Sequence, residues 1–339
     1  MLPTIPVIMG LNLDLLNQYP ITGIILFSKD IDNPFQLAEL TTKIQKLSLD
    51  RWKRPVIIAV DQEGGRVSRL KEPFTQFPGM EELGSAPNAV QRVIEYAKVT
   101  SFEMRLVGLN TNFAPVLDVR RNHVDEHLRG RTLSDSPVLV GTLGIHIIRM
   151  MQSHKVFCVA KHFPGLGKAE RDPHKEEVLI KTSFQELEET DFLPFGMVIK
   201  AGVTGIMTSH GIYEAIDPLN PATFSKAVNN ILRERLGFDG IVVTDDLLMG
   251  AITSKLSVEE AGLKAIENGT DLLLISRDAD SHLSLLDKLL FQKELTQEGI
   301  KSLNKAIARI NSLLNLIKEN FKYPDLKDVK NYFHLPSYL

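Results

Sequence analysis

Cysteine is almost missing from this 339-residue chain, where Cys158 stands alone. No internal disulfide can form, and a lone thiol inside the apolar run Val156 to Ala160 reads as an inert core residue, not a nucleophile. The absence of disulfides suits a reducing compartment. Long apolar runs are missing too: no stretch reaches the ~18–20 residues of a membrane span. Met1 to Gly10 have no basic n-region, no long h-region and no small-residue cleavage site. A cytoplasmic protein with no membrane partner is the expectation. An excess of charge is also lacking, since 39 Lys+Arg face 42 Asp+Glu for a net charge of −3. With no long basic run, there is no electrostatic case for nucleic acid. No Gly/Ser linker, low-complexity segment or internal repeat divides the chain.

What is present is the composition of a globular protein with a large core, 43% hydrophobic and 24% charged. Eight short β-rich apolar runs recur: Pro6 to Met9, Gly23 to Phe27, Val56 to Val60, Asn112 to Leu117, Val156 to Ala160, Gly205 to Thr208, Ile241 to Thr244 and Leu272 to Ile275. Between them lie stretches of helical periodicity, among them Pro34 to Leu49, Ala89 to Val107, Pro137 to Ser153, Phe184 to Lys200, Ser225 to Leu236 and Val258 to Asn268. Strands that are continuously apolar and alternate with helices predict a parallel sheet covered by helices. Eight of them fit a (β/α)8 TIM-type barrel, which needs ~250 residues and leaves room for insertions and a tail. His282 to Phe321 is almost all helix-forming, with apolar residues at three- and four-residue intervals that predict packing on the barrel. The expectation is an α/β fold: a single barrel domain over 1–339, with 282–339 as a C-terminal helical extension.

A barrel demands that reactive groups follow the strands. They do so repeatedly: Asp61-Gln62-Glu63-Gly64-Gly65-Arg66 after Val60, Asp118 after Leu117, Lys161-His162 after Ala160, His210 after Thr208, and Asp245-Asp246 after Thr244. Each has a plain structural alternative. Asp61 can cap a turn, Asp118 can be an ordinary loop acid, His210 can be a satisfied half-buried imidazole, and Lys161 can neutralise Asp61 or Asp245. The two adjacent acids after a buried run are harder to dismiss, because an unpaired carboxylate there is costly. Further along, Asp172-Pro173-His174 places a carboxylate two residues from an imidazole, a spacing that orients the ring and favours its charged form. Its surroundings, Lys168 to Glu177, are strongly charged and equally consistent with plain surface.

Two chemistries suit such a mouth. A carboxylate and a proton donor on separate loops fit glycoside hydrolysis, whereas a His/Asp-rich mouth fits metal-dependent hydrolysis. Closely spaced ligands such as His-x-His after an early strand are missing, and so are GxGxxG and P-loop patterns. The glycosidase reading leads.

The segments Val60 to Val67, Asn112 to Val119, Lys161 to Gly167 and Gly240 to Leu247 together resemble the signatures of glycoside hydrolase family 3. The Asp-x-His pair eleven residues after Lys161 resembles that of its bacterial β-N-acetylglucosaminidase branch. The likeness spans roughly Gly23 to Ile275 with segments in the same order, which is more specific than any one motif. It implies a retaining double displacement in which Asp245 matches the nucleophile, His174 the general acid and base, and Asp172 the carboxylate that orients and tunes the histidine. Asp61, Arg69, Arg131, Lys161 and His162 match positions that contact sugar hydroxyls. Where the family commonly has Lys-His-Phe-Pro-Gly-His-Gly-Asp-Thr, this chain has Leu166, Lys168 and Ala169. It has Pro173 where Ser is frequent, and Thr132-Leu133 after Arg131 in place of Ser-Phe. Pro173 fixes its own φ and restricts Asp172, predicting a stiffer loop.

The expectation from this resemblance is an exo-β-N-acetylglucosaminidase that removes non-reducing GlcNAc from GlcNAc-1,6-anhydro-MurNAc, with or without its peptide, during peptidoglycan recycling. No cofactor and no metal are implied. The partner expected is a small carbohydrate or muropeptide, and a monomer is the favoured state. A β-N-acetylglucosaminide phosphorylase on the same fold and a non-catalytic muropeptide-binding module are the alternatives.

Overall fold

The apolar runs are strands buried along nearly their whole length, because each is covered by helices outside and by other strands' side chains inside. The computed structural model describes residues 2–121, 126–169, 172, 176–277 and 282–336. Pro173 and His174 lie outside them. In chain order the strands are β1 (Ile5–Gly10), β2 (Ile21–Ile25), β3 (Ile57–Val60), β4 (Thr111–Asn112), β5 (Phe157–Phe163), β6 (Leu179–Ile180), β7 (Gly205–Thr208), β8 (Ile212–Tyr213), β9 (Ile241–Asp246) and β10 (Leu272–Ile275). All but β6 and β8 form a closed parallel barrel, running β1-β2-β3-β4-β5-β7-β9-β10 and back to β1. The register is carried by pairs such as Ile24 with Ile58, Ile206 with Val242, and Val7 with Leu273. The (β/α)8 expectation holds, with all eight strands where the apolar runs placed them.

Strand ends differ from the sequence reading in several places: β2 covers Ile21–Ile25 where Gly23 to Phe27 was expected, β9 runs on through Asp245 and Asp246, and the differences in β4 and β5 shape the mouth. The fourth was expected over Asn112 to Leu117, but its ladder stops at Asn112. Pro115 has no N–H to donate, and the chain instead rejoins β5 through a bridge between Val116 and Lys161. The fifth was expected to end at Ala160, leaving Lys161 and His162 in a loop. It runs on to Phe163, so both residues are held by the sheet. Lys161 pairs with Met207 and Phe163 with Thr208, leaving His162 as an extra residue where the register shifts. A bulge of this kind re-aims side chains and lets neighbours face one way.

The helical segments follow the same logic. Helix Pro34–Trp52 starts with Asn33 accepting from Gln36 N and Pro34 at its first turn. The stretch expected as one helix from Phe184 to Lys200 contains a π turn, Leu187–Asp191, between two α-helical pieces. Beside the mouth, β6 pairs with β8 and ties the chain after residue 177 to the chain after β7. At the opposite end, helix Gln297–Glu319 buries Ile310, Leu313, Leu314 and Ile317 against barrel-interior residues such as Ile8, Ile57 and Leu272. Asp271, just before β10, fixes that helix in place: its carboxylate accepts from Val242 N at 2.8 Å, from Arg309 at 3.0 Å and from Arg233. The tail packs on the barrel, as its apolar stripe required.

Candidate active site

A cavity of about 410 Å3 opens at the C-terminal ends of the strands. Asp61, Arg69, Arg131, Lys161, His162, Asp172 and Asp245 all line it. Seven of the eight residues singled out in the sequence thus converge on one space, and the eighth, His174, falls outside the described residues.

The floor is a chain of alternating charges. After β3 the backbone is extended, so Asp61 and Glu63 share one face and Gln62 points the other way. Gln62 then holds the returning chain, its side-chain oxygen accepting from Arg69 N at 2.8 Å and Leu70 N at 3.0 Å. Asn112 braces it from β4 by bonding both the N–H and the carbonyl of Gln62 at 3.0 Å. On the cavity side, Lys161 Nζ lies 2.9 Å from Asp61 and 2.6 Å from Glu63. Arg131 grips Glu63 with two parallel bonds, of 2.8 and 2.9 Å, and Arg69 reaches Asp61 at 3.2 Å. Such forked, charge-assisted bonds fix direction as well as energy. Burial alone would raise the Glu63 carboxyl, but Arg131 and Lys161 hold it well below the usual range. Burial likewise works against the Lys161 ammonium, yet Asp61 and Glu63 keep it above its ordinary value. These groups are therefore charged.

His162 is oriented from behind. Its Nδ1 donates to the fully buried Asp118 at 2.6 Å, and because a carboxylate only accepts, Nε2 is the ring nitrogen left for the cavity side. Asp118 also accepts from Leu166 N at 2.7 Å. Burial pushes the Asp118 carboxyl up, but His162 and these bonds bring it below its ordinary value. The plain-loop reading of Asp118 thus gives way to an orienting one.

The adjacent acids at the end of β9 have separate tasks. Asp246 accepts from Ser276 N and Leu248 N, each at 3.2 Å, and from the Ser276 hydroxyl. Burial raises its carboxyl. Asp245 accepts from Asp246 N at 2.8 Å; both acids line the cavity, and the bonds from Ser276 and Leu248 tie down the Asp246 carboxylate. His210, placed at the mouth from sequence, is instead fully buried and is not one of the described cavity-lining residues. Its Nδ1 lies 2.7 Å from Thr223 Oγ1 and its Nε2 2.9 Å from the Asp246 carbonyl, so it supports the end of β9 from outside.

Sequence reasoning assigned no site role to Glu63, Phe27, Arg66, His127 or Met249, all of which line the cavity. For Glu63 a signal existed: its two-residue spacing from Asp61 in an extended segment, together with two cations destined for the same mouth. For His127 and Met249 no local pattern distinguished them. Of the departures from the family pattern, Pro173 lies outside the described residues, and two others do not line the cavity. Leu166 is buried in the core, and Lys168 turns outward to Glu186 at 2.5 Å.

A parallel eight-stranded barrel whose strand ends gather carboxylates and paired cations around a cavity has the parts that a glycoside hydrolase needs. Comparison with known proteins then gives the family. The model of the glycosyl hydrolase family 3 N terminal domain matches residues 11–313, and the chain belongs to glycoside hydrolase family 3. It is 37% identical over 275 residues to a β-hexosaminidase of Nitrosomonas eutropha, covering 79% of this chain and 77% of that one. A β-hexosaminidase of Hydrogenovibrio crunogenus is 36% identical over 274 residues, covering 78% of this chain and 75% of that one. Among solved structures, a family 3 β-N-acetylglucosaminidase from Paenibacillus sp. superposes with a TM-score of 0.88 at 32% identity, covering 94% of this chain and 62% of that longer protein. NagZ from Neisseria gonorrhoeae in complex with N-trifluoroacetyl-D-glucosamine gives 0.80 at 28% identity, covering 98% and 96%.

Proposed function

We propose that this enzyme is a retaining exo-β-N-acetylglucosaminidase that removes non-reducing GlcNAc from peptidoglycan fragments, GlcNAc-1,6-anhydro-MurNAc with or without its peptide. The observation that carries the reading is the preset floor of Asp61, Glu63, Arg131, Lys161 and His162 facing Asp245 across a cavity of about 410 Å3. That volume is near the lower end of small-molecule sites, which span about 300–1,000 Å3. It is enough for a sugar ring, in keeping with attack at a chain end. The charged floor rejects sugars with misplaced hydroxyls, since a missing partner leaves buried charges unpaired.

In this mechanism Asp245 attacks the anomeric carbon and forms a covalent glycosyl-enzyme. His174, oriented by Asp172, protonates the departing oxygen as imidazolium and then, neutral, takes a proton from the incoming water. Lys161, Arg131 and His162 hold the ring. The names of the relatives, β-hexosaminidase and β-N-acetylglucosaminidase, support the sugar assignment. The barrel with its packed tail acts in this reading as one cytoplasmic, monomeric unit, without cofactor or metal.

A panel of p-nitrophenyl glycosides tests it, followed by the anhydro-muramyl disaccharide. Preferred turnover of the β-GlcNAc glycoside, with release of free GlcNAc whether or not phosphate is present, is the expected result. Preference for β-glucoside would overturn the sugar assignment, and phosphate-dependent release of the 1-phosphate would make the enzyme a phosphorylase.

A further inference from the structure

The Phe163–Gly167 turn at the end of β5 rests on an ion pair that the mechanism above does not use. Arg121, which follows β4, donates to Asp191 at 2.8 Å, and the Asp191 side chain is 2% exposed. Asp191 is the last residue of the π turn, and single π turns inside α-helices are frequent at functional sites. Gly165 packs directly on it. A Cβ at Gly165 would sit 2.8 Å from the Asp191 side chain, and one at Gly167 would sit 2.0 Å from the Val119 carbonyl. The turn therefore threads between the chain after β4 and the π turn, with room only for glycine.

Three more contacts fix the same turn: Asp118 takes Leu166 N, the Tyr213 hydroxyl donates to the Gly165 carbonyl at 2.8 Å, and Lys168 reaches Glu186 on the same helical segment as Asp191. The far flank is held separately, by the β6–β8 pair and by Glu177 with Lys255. The pair is also incompletely satisfied. Asp191 Oδ1 and Arg121 Nε are buried without a hydrogen-bond partner among the described residues. Burial pushes the Asp191 carboxyl up to about 7, Arg121 opposing and the Asp118 charge adding to the rise. A pair kept for stability alone would gain from satisfying those atoms.

We propose that Arg121 and Asp191 are positioning residues for acid catalysis: they set the Phe163–Gly167 turn, and so the height at which Asp172 enters the cavity. The inference rests on the glycosidase reading and adds to it where the acid/base segment is anchored. A misplaced acid hurts a substrate in proportion to its need for protonation, which gives a readout that general loosening lacks.

The test compares kcat/KM for a GlcNAc disaccharide, whose alkoxide leaves poorly, with that for a 2,4-dinitrophenyl β-GlcNAc glycoside, which departs without protonation. In Asp191→Asn and, independently, in Arg121→Gln, the disaccharide should lose about tenfold more than the dinitrophenyl substrate. The double variant should be no worse than the worse single one, as for two ends of one interaction. Equal losses on both substrates, or none on either, would overturn the proposal. Should Asp191→Asn fail to fold, Arg121→Gln, at a side chain 21% exposed, carries the same comparison. Wild-type enzyme inactive on both substrates would sink the glycosidase reading itself, an outcome seen before any variant is made.

Discussion

Glu63 is the residue on which the charged floor turns, because it neutralises Arg131 and Lys161 together while showing 2% of its surface. Removing its charge leaves the buried Arg131 without its carboxylate and Lys161 with Asp61 alone, and breaking a buried pair from one side costs about 3–5 kcal/mol. Glu63→Gln should therefore lower the unfolding free energy by that amount at neutral pH, read by denaturant titration, and raise KM for the β-GlcNAc glycoside. The pH dependence has a definite sign. An unfolded Glu titrates near ~4.3, whereas native Glu63 is depressed well below that. Its stabilisation is complete above about pH 4.3 and is lost as pH falls toward the native value. Glu63→Gln should flatten the acid limb of the stability curve, and an unchanged slope would contradict the ion-pair account. Sequence alone gave Asp61 and Lys161 as site residues but passed over Glu63. Acidic residues on one stretch look alike until a partner 68 or 98 positions away is known to face them.

At the scale of elements, the strands were legible and their ends were not. A fully buried parallel strand announces itself as a continuous apolar run, and all eight runs became barrel strands. Where β5 stops is decided by its neighbour β7 and by a register shift, neither of which leaves a local trace. The π turn at Leu187–Asp191 is equally silent, since one extra residue in a helical turn keeps the apolar periodicity nearly intact. The helical tail was readable in its stripe, though not in its destination at the N-terminal end of the barrel. That placement predicts a separation of stability from catalysis. Ile310→Ala, at a fully buried position on helix Gln297–Glu319, should cost about 2–5 kcal/mol. Because the site lies at the other end, kcat/KM for the chromogenic glycoside below the melting range should stay at the wild-type value. A parallel loss of kcat/KM would mean that the tail shapes the mouth.

For the molecule as a whole, the barrel explains why residues as distant in sequence as Asp61 and Asp245 meet: each follows a strand, and closure brings the strand ends to one rim. The charged floor was legible in part, because Asp61, Lys161 and His162 sit in motifs directly after apolar runs. His127 and Met249 were not, since only the closed barrel brings their loops over the cavity. In the proposed mechanism grip and proton transfer fall to different segments. Lys161 and His162 are fixed by the sheet, whereas Asp172 lies beyond the end of β5. The central claim is that Asp245, not the neighbouring Asp246, attacks the sugar. Trapping with a 5-fluoro glycosyl fluoride of the GlcNAc series, followed by peptide mapping, tests it most directly. The account predicts a single covalent label on Asp245; a label on Asp246 or on any other residue would contradict it.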